Sequence, residues 1–266
     1  MDPDQPIDPG LTGTQARPVP GVDNGFVAGY RVRFDEAGPD GGIRTSALLR
    51  FAQDVAWRHS EAMGFDRDWY AERGLAWVVR AVELRVLAPI SMGETLRVET
   101  AVVGHRRIWA RRLGTFLSPS GEPAALVTTD WVLLDARNRV IRIPDDFDVA
   151  FANPEIRSGI LRVPTTNAPV VASLAIQVRR RDLDPMGHVN NAVYLDWAEE
   201  ALGQAGWPVD AEGRTLRLEY LAAAGPDDAV KLDVTGQRHA WSIRIRRPDG
   251  TELVRVAGGA GAPTLA

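Results

Sequence analysis

The stretch Asp182–Ala201, DLDPMGHVNNAVYLDWAEEA, combines a turn with the start of a helical pattern. Its first half holds Asp-Pro, Gly-His and two asparagines, residue types that favour turns and helix N-caps. Asn190 or Asn191 suits the cap, and Gly206 with Pro208 ends the pattern. Four residues then follow helical spacing on one face: Val193, Trp197, Ala201 and Gln204.

A weaker copy of this stretch lies 146 residues earlier. The sequence GPDGGI at 38–43 aligns with DPMGHV at 184–189, so that a proline, a glycine and an aliphatic residue coincide. Thr45 or Ser46 suits the cap of the helix that follows, and Gly64 suits its end. The apolar face of that helix is longer: Leu48, Phe51, Ala52, Val55, His59 and Ala62. A repeat of this size indicates two copies of one domain, because solenoid repeats span about 20 to 50 residues.

Strand patterns surround each predicted helix. One strand-like run precedes each turn, at 30–34 and at 174–178, and four alternating apolar runs follow each helix. Tight turns such as SPSG at 118–121 favour an antiparallel meander. One helix per copy is available to cover the apolar face of each sheet.

This pattern predicts an α+β fold, a tandem (double) hotdog in which each antiparallel sheet wraps around a long central helix. We expect a disordered tail at 1–24, an N-terminal hotdog at 25–152, a linker at 153–170 and a C-terminal hotdog at 171–262.

Composition bounds the function. The 266 residues carry a net charge of −4, which gives no general reason to expect nucleic-acid binding. No apolar run reaches the roughly 20 residues that a membrane span requires. The chain has no cysteine, so disulfides and thiol nucleophiles are excluded. We predict a cytoplasmic protein, a monomer or a homodimer, without a metal or another cofactor.

The turn at 184–191 carries the candidate chemistry. Asp184 is a carboxylate that can take a proton from water, and His188 can orient that water or polarise a carbonyl. Backbone N–H groups at the helix start, around Val189, Asn190 and Asn191, can stabilise negative charge on a thioester oxygen. Each residue also has a structural interpretation: a turn former, a buried histidine and two helix caps.

The same residues resemble the signature of hotdog thioesterases, an Asp followed by Gly-His-Val-Asn-Asn and an amphipathic helix. Residues 25–260 as a whole resemble the acyl-acyl-carrier-protein thioesterases, which are double hotdogs. The likeness extends to residues 35–65, 77–100 and 215–228. It implies hydrolysis of an acyl thioester of a carrier protein or coenzyme A, with the active site in the second hotdog and much of the acyl pocket in the first. It carries over Asp184 and His188 as catalytic residues.

Three positions depart from the plant members of this family. Met186 stands where they have Asn, and Ala223 and Ala224 stand where they have a Glu-Cys pair. The remaining mechanism is direct attack by water. The departures also motivate an alternative, a non-catalytic double hotdog that binds an acyl chain or a protein partner. A hydratase acting on 2-enoyl thioesters is a weaker third hypothesis.

The first copy has Gly42 where the second has His188, so we expect it to be catalytically silent. Asp54 and Glu61 on its helix are kept as reserve acids, because some hotdog thioesterases place their acid there. The four histidines are scattered, which does not indicate a metal site, and His105 and His239 are predicted at the surface.

Two arginine runs, 106–112 and 179–181, are either solvated strand faces or a surface for an acidic carrier or a phosphate. The tryptophans at 57, 77, 131 and 197 are expected in the core or in a pocket wall.

Overall fold

The computed structural model describes residues 25–151, 156, 158–207 and 214–260. The predicted tail at 1–24, Pro208 and the last two residues of the predicted second hotdog lie outside these residues. The elements of the first half are β1 (Gly25–Arg31), α1 (Thr45–Ala62), α2 (Arg67–Arg73), β2 (Leu75–Val86), β3 (Thr95–Arg106), β4 (Trp109–Leu117), β5 (Pro123–Asp135) and α3 (Asp145–Ala150). Those of the second half are β6 (Val170–Gln177), α4 (Val193–Gln204), β7 (Arg214–Tyr220), β8 (Ala229–Gln237), β9 (Ala240–Arg246) and β10 (Glu252–Ala260).

The strands form one antiparallel sheet in the order β1-β3-β4-β5-β2-β7-β10-β9-β8-β6. Each half contributes five strands and one long helix, which confirms the α+β double hotdog. The halves join where β2 pairs with β7, with Ala81 opposite Glu219 and Arg85 opposite Thr215. Because this pairing is antiparallel and joins equivalent strands, a pseudo-twofold axis relates the two halves.

The predicted four-strand meander is wrong. Only β3, β4 and β5 form a meander, whereas β2 pairs with β5 and β3 pairs with β1; the second half repeats this order. The connection between β2 and β3 spans residues 87–94, too long for a tight hairpin, and β3 lies away from β2, next to the edge strand β1. The first strand also ends early: residues 34–36 form a 3-10 turn, because Glu36 accepts hydrogen bonds from the Arg33 N–H and guanidinium, both at 2.8 Å.

The two long helices pack into one core that runs through both halves. Leu48, Leu49 and Val55 of α1 and Leu195 and Ala201 of α4 are buried in it. A smaller aromatic core beside α2 and α3 contains Phe65, Tyr70, Ile143, Phe147 and Phe151. This second core closes one end of the first hotdog and later forms part of a cavity wall.

The caps differ from the predicted ones at the starts of both helices. At α1, Arg44 is the N-cap without a side-chain bond, and the Thr45 hydroxyl instead donates to the Glu199 carboxylate of α4. At α4 the N-cap is Ala192, whose N–H donates to the Asn190 side chain at 2.9 Å. The predicted end of α1 is confirmed, because Gly64 follows the helix at φ +87°.

Residues 158–163, within the predicted linker, are fixed to both halves. Asp130 of β5 accepts two hydrogen bonds from Arg111 and one from the Leu161 N–H at 2.9 Å. Glu219 of β7 accepts the Val163 N–H at 2.9 Å. Among the described residues, no helix is both long and apolar enough to cross a lipid bilayer.

Candidate active site

The turn at 184–188 is built by backbone hydrogen bonds. The Gly187 N–H donates to the Asp184 carbonyl at 2.9 Å, and the Asp184 N–H donates to the His188 carbonyl at 2.8 Å. Gly187 has φ +78°, where glycine is favoured. This arrangement is a three-residue hairpin loop with a glycine bulge, which increases the local twist.

The turn at 38–42 of the first half has the same backbone hydrogen bonds, at positions 146 residues earlier. The Gly41 N–H donates to Gly38 at 3.0 Å, the Gly38 N–H donates to Gly42 at 2.8 Å, and Gly41 has φ +79°. The internal repeat seen in the sequence is therefore confirmed at the level of individual backbone bonds. Glycines 38 and 42 replace the acid and the histidine, so this turn carries neither candidate side chain.

The helix start offers fewer free amides than predicted. The Val189 N–H donates to the Ala224 carbonyl at 2.9 Å, and the Asn190 N–H donates to the Asp182 carbonyl at 2.8 Å. The prediction that these two groups are free is wrong, because they anchor the loop to its surroundings. Of the three predicted donors, only the Asn191 N–H has no protein acceptor within the described residues.

Two tyrosines hold this helix start in place. The Tyr220 hydroxyl donates to the Asn191 carbonyl at 2.9 Å, and the Ala224 N–H donates to the Tyr194 hydroxyl at 3.1 Å. Burial raises the pKa of Tyr194 to about 12 and that of Tyr220 well above its usual value. Both are therefore neutral hydroxyls near pH 7 and serve as fixed hydrogen-bonding groups.

A cavity of about 650 Å³ reaches this turn. It lies mainly in the first hotdog, between α1, the inner strands and the aromatic core, and its volume falls in the usual range for small-molecule sites. The second hotdog contributes Asp184, Pro185, Met186, Asn190 and Asn191. The first contributes Gln53, Ala56, Trp57, Ser60, Arg67, Tyr70, Leu75, Ala76, Trp77, Val102, His105, Ala110, Arg112, Trp131, Ile143, Phe147 and Phe151.

Asp184 is the only carboxylate among these lining residues. Its Oδ1 accepts the Met186 N–H at 2.8 Å, which fixes the carboxylate over its own turn. The His188 side chain is exposed and does not line the cavity, so this structure does not bring the imidazole to the Asp184 carboxylate as expected.

The reserve acids are held elsewhere. Asp54 is exposed and accepts the Tyr30 hydroxyl at 2.5 Å, while Glu61 is exposed and accepts the Trp57 indole N–H at 2.7 Å. Neither lines the cavity.

Gln53, which the sequence analysis did not select, does line the cavity. The pseudo-twofold axis identifies the position in the other half that is equivalent to Gln53. Arg50 and Asp196 are 146 residues apart, hence equivalent, and they pair with each other at 2.6 Å across the axis. The hydrogen bond between Thr45 of α1 and Glu199 of α4 therefore has a symmetry-related position, occupied by Asn191 and Gln53. Applying the 146-residue offset to α1 is the sequence signal that finds Gln53.

The Gln53 side chain is half-buried and has no hydrogen-bond partner within the described part of the chain. A carboxamide offers both a donor and an acceptor. Gln53 can therefore hold a water or a substrate oxygen between α1 and the turn at Asp184.

Other predicted positions are corrected by the structure. His105 is buried and lines the cavity, whereas His239 is exposed as predicted. Arg111 pairs with Asp130, and Arg112 lines the cavity, so neither belongs to a solvated face; Arg180 and Arg181 are exposed.

The predicted placement of the tryptophans in core and pocket wall is confirmed. Among the described residues, no group of three or more His, Cys, Asp or Glu is arranged to hold a metal ion.

Comparison with known proteins agrees with this architecture. The model of the acyl-ACP thioesterase N-terminal domain matches residues 23–151, and that of the C-terminal domain matches residues 167–255. Oleoyl-acyl carrier protein thioesterase 1 of Arabidopsis thaliana is 26% identical over 223 residues, covering 76% of this chain and 61% of its own length. Palmitoyl-acyl carrier protein thioesterase of Cuphea hookeriana is 25% identical over 258 residues, covering 86% and 60%. The chain thus spans less than two thirds of these chloroplastic relatives.

Solved structures share the fold. An acyl-ACP thioesterase from Bacteroides thetaiotaomicron superposes with a TM-score of 0.76 at 15% identity, covering 89% of this chain and 97% of that one. The 12:0-ACP thioesterase of Umbellularia californica gives 0.75 at 23% identity, covering 89% and 96%. The two domain models together match most of the chain in the expected order, and the chain therefore belongs to the acyl-ACP thioesterase family.

Proposed function

We propose that the protein is a thioester hydrolase that releases a fatty acid from acyl-acyl-carrier protein or acyl-coenzyme A by direct attack of water. The observation that carries this proposal is the position of Asp184, which among the described residues is the only carboxylate lining the cavity and lies beside a helix start with an unused N–H. Family membership supports the same reaction class.

The proposed reaction needs one general base and one oxyanion donor. Asp184 takes a proton from water as the water oxygen attacks the thioester carbonyl. The Asn191 N–H and the Gln53 amide stabilise the tetrahedral oxyanion, which then collapses with cleavage of the C–S bond. Protonated Asp184 returns the proton to the leaving thiolate. No covalent enzyme intermediate is required, consistent with the absence of cysteine.

His188 is proposed to act as the partner of Asp184 once substrate is bound. The two residues already share a backbone hydrogen bond, and the His188 side chain is exposed and free to move. Catalytic hydrogen bonds often tighten only in the substrate complex. Exposed Arg180 and Arg181 lie at the same end of the turn and are proposed to attract an acidic carrier. A cytoplasmic location and a monomeric or homodimeric state stay predictions from the sequence.

The second candidate is a non-catalytic double hotdog that binds acyl groups. Met186 and Ala224 motivate it, because apolar groups replace polar ones near Asp184, and so does the distance of His188 from the cavity.

Steady-state hydrolysis distinguishes the two candidates. Acyl thioesters of several chain lengths, on carrier protein and on coenzyme A, are given to the wild type, Asp184→Ala and His188→Ala. The hydrolase proposal predicts turnover by the wild type and a large loss in both variants. Tight binding of a nonhydrolysable acyl thioester without turnover would establish the binding protein instead.

A further inference from the structure

Arg112 of β4 is a cation in the cavity wall without an anionic partner. Its Nη1 donates to the His59 Nδ1 at 2.8 Å and contacts the Thr100 hydroxyl at 3.4 Å. Within the described residues no carboxylate forms an ion pair with it. Burial lowers the pKa of Arg112 to about 10, so the guanidinium stays charged near neutral pH.

The groups next to Arg112 are neutral. Burial, followed by the charge of Arg112, lowers the pKa of His59 to about 3, so this imidazole offers a lone pair and no charge. Burial raises the pKa of Tyr70, whose hydroxyl bonds to Ser60 at 3.0 Å. The described residues therefore leave the positive charge of Arg112 unbalanced, which costs free energy unless a ligand or water compensates for it.

Strand register places further polar groups on the same face. Ala110 lies opposite both His105 of β3 and Trp131 of β5, and Arg112 is two residues along β4 from Ala110. Alternate residues of a strand share a face. The indole N–H of Trp131 is buried without a hydrogen-bond partner in the described residues. This N–H has no surface open to the cavity, so the Arg112 guanidinium is the donor that a ligand there meets, and a buried donor left unmet costs about 1 to 3 kcal/mol.

The remainder of this part of the cavity is aromatic. It is lined by Trp57, Tyr70, Trp77, Phe147 and Phe151. An apolar acyl chain packs well against these rings but leaves the Arg112 guanidinium without an anionic partner. A chain with an anionic oxygen acceptor at the right depth satisfies both.

The distance of Arg112 from the proposed active site can be estimated along α1. Gln53 and His59 are six residues apart on this helix, which corresponds to about 9 Å along its axis. Arg112 contacts His59. Three bonds of an extended chain span roughly 3.5 Å, so Arg112 is about eight bonds from the level of Gln53. A medium-length acyl chain held at the proposed active site reaches Arg112 with its far end.

We propose that the cavity accepts a medium-length acyl chain that ends in a carboxylate, which binds the Arg112 guanidinium. This inference rests on the proposed hydrolase function and adds its substrate class. It gives the unpaired charge in the first hotdog a role in selecting the acyl group.

The test compares matched coenzyme A thioesters of about eight to ten carbons. One series ends in a methyl group and the other in a carboxylate. We measure kcat/KM for both in the wild type, Arg112→Met, Arg112→Lys and the control Arg97→Met, which removes an exposed arginine of β3. Calorimetric binding of the corresponding free dicarboxylic and monocarboxylic acids to the wild type provides a readout that does not require turnover.

The proposal predicts that the wild-type kcat/KM is at least tenfold higher for the carboxylate-ended thioester. A tenfold ratio corresponds to about 1.4 kcal/mol. Arg112→Met abolishes the preference, Arg112→Lys keeps part of it, and Arg97→Met retains it. An equal ratio in the wild type and Arg112→Met, or a wild-type preference for the methyl-ended chain, overturns the inference while leaving hydrolysis intact. If Arg112→Met does not fold, weaker binding of the dicarboxylic acid than of the monocarboxylic acid by the wild type overturns it equally. Absence of turnover with every thioester contradicts the proposed function itself.

Discussion

At the scale of single residues, Gln53 and Glu199 form an informative pair. They occupy equivalent positions on α1 and α4, yet Gln53 lines the cavity and Glu199 binds Thr45 in the silent half. Burial raises the pKa of Glu199, which agrees with its enclosed position. The different surroundings of these two residues allow one to serve as a control for the other.

We expect Gln53→Ala to lower kcat by about tenfold to a hundredfold with a smaller change in KM, because an oxyanion or water contact is used mainly in the transition state. Steady-state kinetics on one acyl thioester measure this. Glu199→Gln, at the equivalent position of α4 and beside Thr45 of the first hotdog, is the control and should keep wild-type kcat. Equal losses in both variants would indicate a packing role for Gln53.

At the scale of elements, the two turns offer a matched experiment. Gly187 and Gly41 have nearly the same positive φ, and no atom lies within 4 Å of a Cβ added at either position. An alanine there strains the backbone by about 1 to 2 kcal/mol. We expect Gly187→Ala and Gly41→Ala to lower the free energy of unfolding by similar amounts, measured by chemical denaturation.

Activity should separate these two variants. Gly187→Ala shifts the turn that carries Asp184, so its kcat should fall well below that of Gly41→Ala at equal folded fraction. A parallel fall in both would mean that stability alone governs activity and that the turn at 184–188 has no special role.

The same elements show what the sequence could predict. The 146-residue offset identified both turns, both helices and the strand count, because local patterns determine local structure. Strand order was not predictable in this way, because the long connection between β2 and β3 allows β3 to pair with β1 instead of β2. His105 was assigned to the surface because it lies in or beside a predicted strand-edge turn, and Arg112 because most arginine runs form solvated strand faces. Their burial depends on the aromatic cover from α2 and α3, which are distant in the sequence.

At the scale of the whole molecule, Glu219 connects the halves and the linker. It is buried beside the β2–β7 junction, where it pairs with Arg80 at 3.0 Å and with Arg162 at 2.7 Å. Burial alone would raise its pKa, but hydrogen bonds from Arg162 and from the Val163 N–H outweigh burial and lower it.

A lowered pKa in the folded state means that the carboxylate stabilises the fold above the usual glutamate pKa of about 4.3. That contribution is lost as the pH falls through the lower folded pKa. We expect the free energy of unfolding to fall below about pH 4 and Glu219→Gln to cost about 3 kcal/mol at pH 7. The variant should also show a shallower acid dependence. Denaturation curves recorded from about pH 3 to 7 measure both effects. The same slope of the free energy of unfolding against pH in the variant and the wild type would contradict this assignment.

The central claim is that Asp184 activates the attacking water, and Asp184→Asn tests it most directly. Asparagine keeps the shape and the acceptor for the Met186 N–H but cannot take a proton from water. The account predicts a fall in kcat on an acyl thioester of roughly 10² to 10⁴. The matched variant of the silent turn, Asp40→Asn, should keep wild-type kcat. A folded Asp184→Asn protein that turns over as fast as Asp40→Asn would contradict the account.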